Sequence, residues 1–259
     1  MNILLDLSLW KGLLAIILGI TLPGLFIVVV VRSLIKHQIT RQHERVGRLL
    51  FRVSASLLAL LISLSYANEK IGYNKVVDSL EDESALIASV MLKLKMHRSE
   101  LAEEIRQDLI EYVEFTIDDG WNDVVNNPYI SKMWGTMVRI NILVRELPTN
   151  TDNQKSLKTS IISDIDLITK TLQVRFYSSY FHLPYLTYIL GFGLIIVWCF
   201  FAVYNTDWLG LTYISLYNIF IAVVLYFVIM LGNPMVGPLK IDPTPFKTLK
   251  EMGLDKLPF

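Results

Sequence analysis

"RVSASLLALLISLSYANEKIGYNKVVDSLEDESALIASV" (residues 52–90) passes from an apolar segment into a charged one with no proline and a single glycine. The apolar part, 53–67, carries no charged residue and can cross a bilayer if its flanking side chains reach outward to the headgroups. The charged part keeps apolar residues at helical spacing, at Val76, Val77, Leu80, Ile87 and Val90. We therefore expect one helix that leaves the membrane and continues into a polar domain.

Three other segments are apolar over membrane length, at 12–31, 183–206 and 208–232. The first resembles a signal peptide, but it stays apolar through Val31 and lacks a small-residue cleavage site, which favours a span. Charged residues make up 19% of the chain, against about 25% in soluble domains. The sequence predicts an all-α membrane protein with four transmembrane helices in two hairpins.

The segment between the second and third spans is polar and has helical periodicity. Apolar residues recur three or four positions apart at Leu101, Ile105, Leu109, Tyr112 and Thr116, at Met133, Met137, Ile140, Val144 and Leu147, and at Leu157, Ile161, Ile165, Ile168 and Leu172. The stretches 118–128 and 146–153 have loop composition. A helical-bundle domain is therefore predicted between the two hairpins.

The predicted organisation has four parts. Residues 1–67 form the first hairpin, with spans at about 12–31 and 53–67 and a basic loop at 32–52. Residues 68–182 form the helical domain, 183–232 the second hairpin and 233–259 a proline-rich tail. The loop has six Lys and Arg residues and one acid, whereas the domain has 13 Lys and Arg and 18 Asp and Glu. The positive-inside rule therefore predicts a cytoplasmic loop, with both termini and the helical domain outside.

The sequence gives no support to several classes of function. The net charge is zero, so nucleic-acid binding has no electrostatic basis. One cysteine, Cys199, permits no disulfide framework and no cysteine metal site. The four histidines are scattered, and neither a G-x-S-x-G turn nor a glycine-rich phosphate loop occurs. We expect no enzyme, no catalytic residue, no cofactor and no bound metal.

A stripe of polar and small residues runs along the second span, at Arg52, Ser56, Ala59, Ser63, Tyr66 and Lys70. Polar stripes in membrane helices face protein or water. One interpretation is a pore lining with cationic mouths, for which the predicted residues are Arg52, Ser56, Ser63 and Asn68. The other is close packing of helices through small residues.

Two further predictions concern single residues. Glu83 lies three residues after Leu80 and four before Ile87, so we expect a buried acid, with ion contact as a further possibility. The tail is apolar as well as proline-rich, which favours ordered packing over a free linker. The predicted packing residues are Pro234, Gly237 and Phe246, with Gly237 permitting a tight turn and Phe246 as an apolar anchor.

Several motifs in order resemble the bestrophin-like family of bacterial membrane proteins. They are "HERVGRLLFRVSASLLALLISL", "EDESALIASV", "LIEYVEFTIDDGW", "LQVRFYSSYFHLP" and "GNPMVGPLKIDPTPF", and together they span roughly residues 43–250. The sequence departs from the family pattern at Ser84, where alanine is usual, and at Asn233 and Met235, where Asp and Phe are favoured. Kinship with bestrophins implies an oligomeric channel, with anions favoured, in a bacterial inner membrane.

The expected partners are therefore the lipid bilayer, further copies of the chain and small inorganic ions, without nucleic acid. The alternative is a membrane-anchored sensory or scaffolding module whose helical domain binds a partner or ligand without ion flux.

Overall fold

The computed structural model describes residues 5–35, 40–121, 125, 131–180, 184–204 and 207–253. Every regular element among them is helical, which confirms the all-α prediction. Eight helices have described bounds: α1 Leu9–Ile35, α2 Arg41–His97, α3 Glu100–Asp118, α4 Lys132–Glu146, α5 Asp152–Tyr180, α6 Pro184–Phe201, α7 Trp208–Leu231 and α8 Thr244–Glu251. The predicted domain boundary at 182/183, residues 36–39 of the basic loop and residues 254–259 lie outside the described residues.

The chain divides into two compact units, and each is described separately. The first, here called the apolar unit, comprises Met1–Tyr73 and His182–Lys240. The second, the bundle unit, comprises Asn74–Phe181 and Ile241–Phe259. The stretch predicted as one tail, 233–259, is thus shared between the units.

Helix α2 is 57 residues long and contains both the predicted second span and the start of the predicted domain. It begins at Arg41, so most of the segment predicted to connect the first two spans, 32–52, is helical. Arginine, glutamate and leucine favour a helix there. Gly47 lies within this helix. A Cβ on this glycine would lie 2.6 Å from the Val203 side chain, so the missing side chain allows the close approach. At the other end, Arg98 has a φ of 55°, a left-handed conformation that ends the helix.

Three helices are long and apolar enough to cross a membrane, namely α1, α2 and α7. Helix α6 is also apolar, and its described apolar run, Tyr188–Phe201, is shorter. In the apolar unit, α1 packs against α6 and α7. All four helices contribute to one buried cluster, Val28, Leu58, Ile62, Leu190, Leu194, Val197, Trp198, Ala202, Ile214 and Ile221.

A buried hydrogen bond between two side chains joins α6 to α7 in the apolar unit. The indole N–H of Trp198 on α6 donates to the Oδ1 of Asn218 on α7 at 2.9 Å. Gly24 on α1 sits against the pair, since a Cβ at Gly24 would lie 2.4 Å from the Nδ2 of Asn218 and 2.7 Å from the Trp198 ring. A glycine at this position lets α1 approach the bonded pair.

The bundle unit is built from the predicted stripes. Helix α4 packs against α3 and α5, and α8 packs against α3. Side-chain caps start two of these helices, because Ser99 accepts from the Ala102 N–H and Ser131 from the Trp134 N–H. The buried faces are those that the 3.6-residue period predicts, including Ile105, Leu109, Met137, Ile140, Ile161, Ile165 and Ile168.

Candidate functional site

The polar stripe of α2 lies on the open surface of the chain. Its six residues, Arg52, Ser56, Ala59, Ser63, Tyr66 and Lys70, are all exposed. The hydroxyl of Ser63 donates to the carbonyl oxygen of Ala59 at 2.9 Å. Among the described residues of the apolar unit, none packs over the stripe, so helix packing inside this unit does not explain it.

Helix α2 has three distinct faces in the apolar unit. Leu58, Ile62 and Ser65 are buried against the other helices of this unit. A second face is apolar but exposed, with exposed fractions of 50% to 60% at Val53, Leu57, Leu60 and Leu64. The stripe lies between these two faces, because successive residues turn about 100° around the axis. Helix α2 therefore has two exposed faces, one apolar and one polar, in addition to its buried face.

Asn68 does not share the polar face. It is exposed, but it follows Ser63 by five residues on a continuous helix. Five residues correspond to a turn of about 140°. The prediction placed Asn68 beside Arg52, Ser56 and Ser63, and the helix geometry separates it from them.

The second candidate site is a buried cluster of Glu83, Tyr112 and Arg175 in the bundle unit. Glu83 and Arg175 have 0% exposure and Tyr112 has 1%. The Nη2 of Arg175 donates to Oε1 and Oε2 of Glu83 at 2.6 and 2.5 Å. It also lies 2.9 Å from the Tyr112 hydroxyl, which itself donates to Oε1 of Glu83 at 2.5 Å. The cluster joins α2, α3 and α5.

Burial and pairing set the protonation of these groups. Burial raises the pKa of Glu83 above its usual range, against the lowering effects of Arg175 and Tyr112. Burial lowers the pKa of Arg175, but the attraction of Glu83 outweighs it and the net pKa is raised. Burial and the charge of Glu83 hold the pKa of Tyr112 well above its usual value of 10. Tyr112 therefore remains a hydroxyl donor and Arg175 remains a cation at physiological pH.

Residues of the tail close the cluster. Phe246, at 0% exposure, places its ring centroid 5.7 Å from the Arg175 guanidinium, and the Trp121 ring lies 5.9 Å from it. The Trp121 indole donates to the Ile241 carbonyl at 2.9 Å, and Lys250 pairs with Glu114 at 2.9 Å. These aromatic faces stabilise a desolvated cation.

The other two tail residues of interest lie in the apolar unit. Pro234 is buried. Gly237 has a φ of +90°, a backbone conformation that residues with side chains rarely adopt. A Cβ added at Gly237 would lie 3.5 Å from Leu5. The described part of the tail is thus packed in both units.

Sequence reasoning placed Glu83 on the apolar side of α2 but did not name its partner. Arg175 continues the buried stripe of α5, three residues after Leu172. A lone arginine at a core position of a helix was the available signal, because a fully buried arginine needs a paired charge. Tyr112 was in the predicted apolar stripe, without an assigned polar role.

The bundle unit also has an open groove beside the tail. It has a volume of about 570 Å³. Most of its lining residues are apolar or small, including Val77, Leu80, Ala85, Ala88, Pro245, Leu249 and Met252. Two acids, Glu81 and Asp242, also line it. Among the described residues, no three His, Cys, Asp or Glu side chains are grouped so that they could hold a metal ion.

Comparison with known proteins gives one match. The model of the bestrophin-like domain matches residues 18–246. This range includes both α2 and the Glu83, Tyr112 and Arg175 cluster. No curated protein and no solved structure matches the chain. Since the matched range covers most of the sequence, the chain belongs to the bestrophin-like family.

Proposed function

We propose that this protein is an oligomeric ion channel of a bacterial inner membrane, with α2 lining a central pore. In this proposal α1, α2, α6 and α7 are the four spans, and the helical domain lies between the second and third. The observation that carries it is the exposed polar stripe of α2.

The three faces of α2 support a pore over a simple membrane anchor. A lone anchor helix needs an inner face and a lipid face, and α2 has both. The stripe is a third surface. It is not buried in the core of the chain, and its polar groups are unfavourable in hydrocarbon, because polar groups in a membrane helix need protein or water. Neighbouring copies of the chain, arranged around an axis, supply that environment at Ser56, Ala59 and Ser63.

The charge pattern favours anions. Arg52 and Lys70 lie at the two ends of the stripe, and a cation at a pore mouth raises the local anion concentration. The family relationship points the same way. The helical domain, with its net charge of −5, opposes this at long range. Measured selectivity therefore reports whether the stripe or the domain dominates.

The orientation follows from the basic segment at 32–52, which we place in the cytoplasm, with the helical domain outside. Single cysteines introduced at Gln42 and at Lys155, in a Cys199→Ser background, test it in whole cells. We expect a membrane-impermeant maleimide to label the second and not the first. The reverse labelling pattern would invert the orientation without affecting the channel proposal.

Ion flux in liposomes tests the channel directly. The purified chain is reconstituted, and chloride and potassium flux are measured under imposed gradients. Ser63→Trp should abolish flux, because the indole fills the lining. Leu64→Trp is the matched control: it is the next residue on the same helix, lies on the apolar outer face with 60% exposure, and should leave flux intact.

The outcomes separate the interpretations. Flux that survives Ser63→Trp, or survives a double replacement of Ser56 and Ser63 by leucine, removes α2 as the pore lining. Equal loss in both tryptophan variants indicates misfolding and is checked by thermal melting. The chloride-to-potassium ratio gives the selectivity.

The second candidate function is a membrane-anchored module that binds a partner or ligand without flux. The groove of about 570 Å³ in the bundle unit favours it. A monomeric protein in mild detergent, together with absent flux from folded protein in liposomes, would support this function. Neither candidate includes a catalytic step.

A further inference from the structure

The first turns of α2 carry arginines on one face. Arg41, Arg45 and Arg48 are four and three residues apart, and all three are exposed. We call these three residues the arginine face. They lie on the same side of α2 as the polar stripe, but they precede its apolar segment, which starts at Val53.

Contacts fix the arginine face at the end of the apolar unit. Phe51 packs edge-on against Phe201 and Tyr204, with ring centroids 5.2 and 5.7 Å away. The Arg48 guanidinium lies 5.6 Å from the centre of the Tyr204 ring. Arg32, at the end of α1, donates to the Val203 carbonyl at 2.9 Å. The end of α1, the start of α2 and the end of α6 therefore meet here.

The residues at this end are typical of a membrane–water interface. Tyr204 lies three residues after the end of α6, and Trp208, which begins α7, is 83% exposed. Tyrosine and tryptophan concentrate at headgroup depth in membrane proteins. The helix rise of about 1.5 Å per residue places Arg48, Arg45 and Arg41 about 7.5, 12 and 18 Å from Val53 along the axis, so Arg48 lies nearest the apolar segment and Arg41 farthest from it. A headgroup layer is about 5–8 Å thick on each side of the hydrocarbon.

Little acidic charge opposes the arginine face. Glu44 is the one acid in residues 32–52. It pairs with Arg48 at 3.4 Å, and the two side chains are 36% and 53% exposed, so solvent weakens the pair. The carboxylate of Asp207 accepts from the Gly210 N–H at 3.0 Å and caps α7. The segment 32–52 therefore carries six Lys and Arg residues against one acid.

We propose that the arginine face binds the phosphate headgroups of anionic phospholipids in the leaflet that it meets. Side chains three residues apart on a helix have Cβ atoms about 5–6 Å apart, so Arg45 and Arg48, the two arginines nearest the apolar segment, can reach one phosphate together. Guanidinium groups donate two parallel hydrogen bonds to phosphate oxygens. Basic clusters next to a transmembrane helix attract anionic lipid in this way. The interaction holds the start of α2 at the headgroup layer and requires no ion flux.

The test uses the full chain in mild detergent and native mass spectrometry. The probes are dioctanoyl phosphatidylglycerol and dioctanoyl phosphatidylcholine, added separately. We expect the unmodified protein to prefer phosphatidylglycerol, and the triple variant R41Q/R45Q/R48Q to bind it on the order of a hundredfold more weakly. The charge-retaining R41K/R45K/R48K should keep most of the preference.

A matched control removes the same charge elsewhere. K132Q/R139Q/R145Q changes three exposed cations of the bundle unit, with exposed fractions of 54%, 60% and 56%. It should retain phosphatidylglycerol binding, and both triple variants should melt near the parent temperature. Equal binding of the two lipids, or equal loss in both triple variants, overturns the proposal. If inorganic phosphate competes fully with phosphatidylglycerol, the proposal is overturned in favour of a soluble anion site. The liposome flux assay is a separate measurement, so a failure of lipid binding and a failure of the channel proposal can be told apart.

Discussion

Removing one partner of the buried Glu83–Arg175 pair should destabilise the protein far more than removing both. Both side chains have 0% exposure, and one nitrogen of Arg175 contacts both carboxylate oxygens. Glu83→Met leaves a buried guanidinium with the Tyr112 hydroxyl and two aromatic faces, and Arg175→Met leaves a buried carboxylate. Breaking a buried pair in this way costs about 3–5 kcal/mol.

The double variant should lose much less than the two single losses added together. It buries no charge, and its main cost is the Tyr112 hydroxyl, which is left without its charged partners at about 1–3 kcal/mol. The two single losses sum to about 6–10 kcal/mol. A double-mutant cycle should therefore give a coupling of at least about 3 kcal/mol.

Thermal melting of the full chain in detergent, followed by tryptophan fluorescence, measures the cycle. Trp121 lies 5.9 Å from Arg175 and reports on the cluster directly. Each single variant should lower Tm by roughly 6–20 °C, at about 2–4 °C per kcal/mol for a chain of this size. The exposed pair Arg145 and Asp166, 3.3 Å apart, is the control, and its removal should shift Tm by less than about 4 °C. Single variants that melt like this control, or a double variant as unstable as the sum of the singles, would refute the reasoning.

Three further changes test other contacts. Gly24→Ala forces a Cβ to within 2.4 Å of Asn218 and should cost about 1–3 kcal/mol, seen as a lower Tm. Burial raises the pKa of Asp108 above its usual value of 3.8, so its protonated form is favoured by folding, and the Tm of the parent relative to Asp108→Asn should fall as the pH rises from about 4. Trp121→Phe removes the 2.9 Å hydrogen bond to the tail, at about 1 kcal/mol, and should speed tryptic cleavage of the tail.

Each of these changes has a matched control. Gly19→Ala lies on the same helix with nothing within 4 Å of the added Cβ, so it should be neutral or stabilising. Glu100→Gln, at an exposed acid of the same helix, should leave the Asp108 pH dependence in place, and Trp134→Phe should leave tail cleavage unchanged. The first prediction would be contradicted if Gly24→Ala were as stable as Gly19→Ala. The second would be contradicted if the Tm of the parent rose relative to that of Asp108→Asn as the pH increased. The third would be contradicted if the tail were cleaved equally fast in both tryptophan variants.

The helices were predictable because their physical cause is local. A 3.6-residue period of apolar residues decides which face of a helix is buried, and the positions from Ile161 to Leu172 are buried as that period requires. Membrane-length apolar runs are equally local, which is why α1 and α7 could be located from composition. The start of α2 was missed because charged residues in a short segment suit a loop and a helix alike.

The partner of Glu83 was not predictable, because the pairing is not local. Glu83 and Arg175 are 92 residues apart in the chain, and only the packing of α2 against α5 brings them together. Phe246 was predicted as an anchor from its apolar character, but the cation that it covers depends on the same packing. The serines at 56 and 63 were visible at helical spacing, whereas their exposure depends on where the other helices of the apolar unit lie.

The hydrogen bond between Trp198 and Asn218 has a consequence for biosynthesis. An asparagine amide alone in hydrocarbon is costly, so α7 on its own is a poor candidate for release into lipid. Its partner lies on α6, the helix made just before it, and the two meet at 2.9 Å. If α6 and α7 span the membrane as proposed, we expect the translocon to release them together as a hairpin in which the Trp198 N–H and the Asn218 Oδ1 are already paired. The Gly24 face of α1, synthesised long before, then finds its docking surface only after this hairpin has closed.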